Sequence, residues 1–180
     1  MNYLVVSYIS KLITPGALVF EYGSGASTLF WISKGCEVVS IEHDRNFYKK
    51  LSGAVGNKCK YLLVEPEPNS EIAHKSHELP GNYKSSDFPE HSFESYVRTI
   101  EIYPDDYFDI VVIDGRARPS CLMHAKAKVK RSGILVLDNS DREYYLKNTA
   151  YLFEGWLKKE FRGTVRGLLS KEQTTVFHKP

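Results

Sequence analysis

The sequence predicts a doubly wound α/β domain, a mostly parallel sheet with helices on both faces. Three observations predict it: five short apolar runs rich in Val, Ile and Leu, helix-spaced segments after most of them, and acids or glycines closing the runs. The chain of 180 residues is most simply a single domain, 1–180, large enough to bury roughly 70% of its unfolded surface. No internal repeat or linker divides it.

Residues 1–16 carry an apolar patch and read as a short amphipathic helix broken at Pro15-Gly16. Ala17 to Tyr22 is a strand, and Ser27 to Ser33 a helix with Leu29, Phe30 and Ile32 at helical spacing. "CEVVSIEHD" is a second strand and "RNFYKKLSGAV" a helix that stops at Gly56-Asn57. "KCKYLLVEP" is a third strand, halted by Pro66. Residues 66–93 change to Pro, Ser, His, Glu and Asn and read as an inserted loop or lid. "SFESYVRTIEIY" restores a helix, and "YFDIVVIDG" is the clearest buried strand. "SCLMHAKAKVKR" reads as a helix, "ILVLDN" as another buried strand, and "DREYYLKNTAYLFEGWLKK" as a long amphipathic helix. The tail "FRGTVRGLLSKEQTTVFHK" reads as two strands joined by a polar turn, an antiparallel hairpin at or near one sheet edge.

The composition is 42% hydrophobic and 26% charged, with a net charge of +2. Lysines and arginines are scattered among acids, so there is no electrostatic case for a nucleic-acid partner. The densest basic run, "KAKVKR", alternates with apolar residues and reads as one solvated helix face. No run of about 18 apolar residues suggests a membrane span, and the opening residues lack the basic leader and cleavage site of a signal peptide. Cys36, Cys59 and Cys121 have no paired spacing, which fits a reducing cytoplasm.

The chemically loaded residues fall at the carboxyl ends of the strands, where open α/β sheets bind ligands. Glu21, Gly23 and Gly25 follow the first strand, Glu42, His43 and Asp44 the second, Asp114 and Gly115 the fourth, and Asp138 and Asn139 the fifth. Gly-x-Gly between strand and helix lets backbone approach a ligand at a helix N-terminus. Glu42 lies about 20 residues on, the spacing of a ribose-binding acid. A dinucleotide fingerprint would place a third glycine where this chain has Thr28. A carboxylate at Glu21 would repel a pyrophosphate and attract an ammonium, which points to S-adenosylmethionine with its ribose, sulfonium and amino group.

"FEYGSGAST", "VVSIEHD", "FDIVVIDG" and "SGILVLDN", in that order, resemble the motifs of class I S-adenosylmethionine-dependent methyltransferases. The resemblance covers roughly Ala17 to the C-terminus. It implies a seven-stranded sheet of order 3-2-1-4-5-7-6 with the terminal hairpin as strands six and seven. It implies cofactor contacts at Glu21, Gly23, Gly25, Ser27, Glu42, His43 and Asp114, with His43 against the adenine. The first motif ends in Ser27 where many members carry a third glycine.

Asp114, Asp138 and Asn139 are hard oxygen ligands that suit Mg²⁺ or Ca²⁺, and they resemble the metal site of catechol-type O-methyltransferases. By that likeness Asp114 and Asp138 are the catalytic residues and Mg²⁺ would lower the acceptor's pKa. The same residues read equally well as turn formers and a helix cap. Arg116 and Arg118 depart from the catechol-type pattern and suit a carboxylate or phosphate on the substrate, or plain exposure. His74, His77 and His91 are candidate general bases in the insert. The expected activity is O- or N-methylation of a small-molecule acceptor, with no nucleic-acid or membrane partner and a homodimer as a way to complete the pocket. The alternatives are a non-catalytic binding protein of the same fold and a nicotinamide-dependent oxidoreductase.

Overall fold

A computed structural model of the chain describes residues 1–165 and 171–180. In chain order its strands are β1 (Leu18–Tyr22), β2 (Glu37–Glu42), β3 (Cys59–Leu63), the short β4 (Glu67–Pro68) and β5 (His91–Ser92), β6 (Phe108–Ile113), β7 (Val129–Leu137), β8 (Leu157–Thr164) and β9 (Lys171–His178). The helices are α1 (Tyr3–Ile9), α2 (Ala26–Ser33), α3 (Arg45–Val55), α4 (Glu94–Arg98), α5 (Arg118–Ala125) and α6 (Tyr144–Lys147). Seven strands form one sheet in the order β3-β2-β1-β6-β7-β9-β8. With the short β4–β5 ribbon set aside, that is the expected 3-2-1-4-5-7-6. In this sheet β3, β2, β1, β6 and β7 pair in parallel, while β9 runs antiparallel between β7 and β8. The turn expected between the last two strands lies outside the described residues.

Alternation along β1 divides the core between the two sheet faces. Phe20 and Tyr22 join Ile41, Ile113, Leu137 and Phe177 under α4 and α5. Val19 joins Val38, Val112, Val136 and Val176 under α1 and α2, where Trp31, Val5 and Ile9 are fully buried. Asn2 starts α1 by accepting from the N–H groups of Leu4 and Val5, and its amide donates to Phe161 O and Glu172 O on the terminal hairpin. The fifth buried strand is longer than expected because β7 begins at Val129. A register shift against β6 and a left-handed Ser132 (φ 61°) absorb the extra residues.

Two elements differ from the sequence reading. The long helix expected over residues 141–159 does not form: α6 covers four residues, a 3-10 turn holds Ala150–Phe153, and β8 starts at Leu157. Thr149 Oγ1 donates to Tyr145 O at the end of α6, and Gly155 turns the chain at φ 82°. Phe153 instead packs against the sheet, stacked on Phe177 at 4.4 Å, while Tyr151 is exposed. The basic run "KAKVKR" is no helix face either, since α5 ends at Ala125 and Val129 already belongs to β7. Charged residues along β8, among them Lys158, Glu160 and Arg162, keep this edge strand soluble.

Residues 66–93 hold the β4–β5 ribbon and two 3-10 turns. Lys84, 6% exposed, ties the segment together by donating from Nζ to the carbonyls of Ile72, Ala73 and Lys75. At the sheet's centre Gly23 (φ 86°) abuts the turn after β6, where a Cβ would stand 2.6 Å from Gly115 Cα and N. Left-handed backbone and backbone overlap together predict that Gly23→Ala destabilises the fold by about 3 kcal/mol. Urea unfolding measures this, and a loss below about 1 kcal/mol would mean the two turns do not touch as described.

Candidate cofactor and acceptor site

The turn after β1 is held from below by Glu21. Cross-strand register sets Glu21 beside Ser40, and alternation puts it on the Val19 face beneath α2. The carboxylate is fully buried; Oε2 accepts from Thr28 Oγ1 at 2.5 Å and Ser40 Oγ at 2.8 Å, and Oε1 from Trp31 Nε1 at 3.3 Å. Burial raises its pKa and these donors oppose the rise. Thr28 Oγ1 in turn accepts from Gly25 N–H at 3.0 Å. Glu21 therefore faces away from the cleft and fixes the glycine turn onto α2, which corrects the expectation that it meets a ligand's ammonium.

Above the turn is an open cleft of about 390 Å³ whose wall includes Gly23, Ser24, Glu42, His43 and Asp114. Glu42 is 4% exposed. Its Oε2 accepts from Ser24 Oγ at 2.7 Å, and its Oε1 from the N–H groups of His43 and Asp44 at 2.8 and 2.9 Å. Burial works against the charge, but the His43, Asp44 and Ser24 hydrogen bonds bring the Glu42 pKa down to about 2. Ser24 Oγ also meets Tyr61 Oη at 2.7 Å, and burial pushes that phenol up to about 12. His43 Nδ1 lies 2.8 Å from Glu42 Oε1 but out of alignment, and is a buried nitrogen without a hydrogen-bond partner. Its ring meets Phe88 of the insert edge-on at 5.6 Å.

A second cavity of about 360 Å³ continues past the glycine turn, sharing Ser24 and Asp114 with the first. Gly25 and Ser27 line it, and a Cβ at Gly25 would meet nothing within 4 Å. Asp114 and Asp138 converge beside it. The amino group of Met1 stands 2.8 Å from Asp138 Oδ2 and 3.9 Å from Asp114 Oδ2. Burial and the neighbouring Asp138 charge push the Asp114 carboxyl up to about 7, against the pull of Arg118 and the Met1 ammonium.

Arg118 is the main residue that sequence reasoning misplaced. It is 7% exposed, donates from Nη2 to Asp114 Oδ1 at 3.1 Å, and binds the carbonyls of Asp114, Gly115 and Asp138. Neither exposed nor free, it staples the ends of β6 and β7. Arg116 pairs with Asp87 of the insert. Asn139, left-handed at φ 48°, donates its amide to Glu172 Oε2 at 2.7 Å. The side-chain oxygens of Asp114 and Asp138 already meet Arg118, Thr174 and the Met1 amino group, and the Asn139 amide is turned to Glu172 through its nitrogen. Among the described residues no three His, Cys, Asp or Glu side chains gather around a common point. With the carboxylates so engaged, the arrangement gives no support for Mg²⁺ at these residues. Of the insert's histidines, His74 is exposed, His77 packs on Tyr144, and His91 lies by a cavity shared with His43. Ser24 and Tyr61 went unnoticed in the sequence, although a serine between two glycines is a visible signal.

No protein-family model matches the chain, and no curated protein matches it in sequence. Solved structures do match in fold. An O-methyltransferase from Bacillus cereus, in complex with SAH, aligns over 100% of this chain and 82% of its own at 12% identity and TM-score 0.67. A Burkholderia thailandensis 1,6-didemethyltoxoflavin-N1-methyltransferase aligns over 98% and 77% at 11% identity and TM-score 0.58. Spermidine synthase from Thermotoga maritima aligns over 95% of this chain and 56% of its own, at 14% identity and TM-score 0.57. Among the described residues no helix is long and apolar enough to cross a membrane. Strand order, terminal hairpin and neighbours agree that the chain has the Rossmann-like fold of the class I S-adenosylmethionine-dependent methyltransferases.

Proposed function

We propose that the protein transfers a methyl group from S-adenosylmethionine to the oxygen or nitrogen of a small-molecule acceptor. The observation that carries this reading is the Ser24–Glu42 pair facing a cleft that runs over the open side of Gly25 to Asp114. An ionised carboxylate at the end of β2 suits a ribose diol, whose hydroxyls replace the Ser24 hydroxyl as donors. His43, with its unpartnered Nδ1, and Phe88 suit the edge and face of an adenine. At the other end the Asp114 and Asp138 carboxyls converge beside the second cavity, opposite in charge to the ammonium of an amino-acid tail or an amine acceptor.

The cofactor supplies an activated methyl on a sulfonium, so the protein's main task is alignment. The acceptor's attacking atom gains the methyl, and its proton must leave. Asp114 is the suited base, because a carboxyl near neutrality both accepts and releases a proton at physiological pH. Arg118 and the β6–β7 carbonyls it binds hold Asp114 in place. The neighbours with adenosyl ligands support the cofactor class. The match to spermidine synthase means that the fold alone does not choose the transferred group.

Calorimetric titration tests the reading. S-adenosylhomocysteine should bind at micromolar Kd, NAD should not, and Glu42→Ala should weaken the adenosyl ligand at least about 10-fold. Tight NAD binding without adenosyl binding would overturn it.

Glu42 also marks the pH dependence of stability. Its folded pKa lies below the unfolded value, so its contribution is full above about pH 4.5 and fades as pH falls toward 2. Between pH 6 and pH 3 the wild type should lose about 1–2 kcal/mol relative to Glu42→Gln. Parallel curves in urea unfolding would contradict the bonding described.

The Asp114 carboxyl, followed by carbon NMR, should titrate near 7, and Asp138→Asn should lower that value because a neighbouring negative charge is gone. An ordinary value near 4 in the wild type would remove Asp114 as the base.

A further inference from the structure

Beside the cofactor cleft lies a tight third cavity of about 20 Å³, between the β6–α5 turn, the insert and the start of α6. Four cationic side chains line it, Lys84, Arg116, Arg118 and Arg142, and no carboxylate does. Two of the four are buried, Lys84 at 6% and Arg118 at 7% exposure. Burying a cation is costly unless opposite charge or oriented dipoles surround it. Among the described residues Lys84 has three backbone carbonyls and no carboxylate as partners. Arg118 shares Asp114, and Arg116 is held by Asp87. Arg142 donates to a phenol, Tyr145 Oη at 3.0 Å, and has no carboxylate partner among the described residues. The four cations outnumber the two paired carboxylates by two charges.

This positive excess sits in a defined place. Gly115, Arg116, Arg118 and Arg142 line both the third cavity and the cofactor cleft, so one small molecule can span the two. The cavity is backed by the first turn of the eight-residue α5, whose N–H groups and dipole add to the field. Ser85 and Ser86 bring hydroxyl groups to its wall. Its volume exceeds by little what one water needs, so it takes the oxygen end of a group.

We propose that this cavity binds an oxyanion carried by the methyl acceptor, so that the substrate is a small acid bearing a carboxylate or phosphate. The inference rests on the methyltransferase reading for the word acceptor, but the anion site itself does not. Arg142 closes over the anion, Arg116 and the α5 N-terminus contact it, and Lys84 and Arg118 supply fixed charge behind. The acceptor's reacting atom then points back toward Asp114.

Benzoate and inorganic phosphate are the probes, titrated separately with and without saturating S-adenosylhomocysteine. At least one should bind saturably at millimolar Kd, with the adenosyl ligand present as well as absent. The preferred probe identifies the anion class. Arg142→Gln should raise that Kd at least about 10-fold, while Arg142→Lys keeps most of the affinity because the charge remains. Arg142 is exposed, so circular dichroism of both variants should match the wild type. Saturable binding by neither probe, equal affinity in Arg142→Gln, or competition by S-adenosylhomocysteine would overturn the proposal. In the last case the cavity would belong to the cofactor's own carboxylate. If the adenosyl ligand fails to bind while the anion binds and Arg142→Gln loses it, the methyltransferase reading falls and the anion site stands.

Discussion

Two backbone turns meet at the middle of the sheet with no room for a side chain between them. Gly23 after β1 and Gly115 after β6 approach so closely that a Cβ on the first would stand 2.6 Å from the second, and a Cβ on Gly115 would strike Tyr96 Oη. This contact lies where strand order reverses, the place where open α/β sheets bind ligands. It sets Ser24 and Asp114 on one surface and lets two cavities join across them. From one side the turn is pinned by Glu21 through Thr28, Ser40 and Trp31. From the other, Arg118 ties the β6 end to the β7 end.

The charge pattern follows from that geometry. Three strand ends bring carboxylates to one rim, and their mutual repulsion must be offset. Glu42 is offset by N–H and hydroxyl donors and stays ionised. Asp114 and Asp138 crowd each other, and Arg118 is the cation that the fold itself provides. The result is a rim with an ionised carboxylate at one end and a proton-exchanging one at the other. The basic cavity beyond Arg118 continues the rim with the opposite sign of charge.

Much of the fold was legible in the sequence. Strands β1, β2, β3 and β6, helix α3 and the carboxyl-end location of the site follow from apolar runs and turn residues. Segment 141–159 misled because its aromatics occur at helical spacing, yet Phe153 stacks on β9, a contact from distant sequence. For Glu21 the residue was right and the direction wrong. Strand parity places it with Val19 on the face covered by α2, a point available from the sequence once the sheet is known to be covered on both sides. Its charge therefore says nothing about a phosphate, and the case against a dinucleotide now rests on fold neighbours and on the cleft. The acid-rich end of β7 suggested a metal because sequence spacing cannot show that Thr174 and the Met1 amino group meet the Asp138 carboxylate and that Arg118 meets Asp114. The basic cavity gathers residues from 84 to 142, a clustering that only tertiary structure reveals.

The most direct test of the central claim, that the β1–β6 switch point is the cofactor site, is a map of backbone amide NMR shifts on addition of S-adenosylhomocysteine. The largest changes are expected at Ser24 to Ser27, Glu42 to Asp44 and Asp114 to Arg116. Changes centred instead on the cavity at the opposite end of the sheet, lined by Leu12, Asp109, Ser132 and His178, would contradict it.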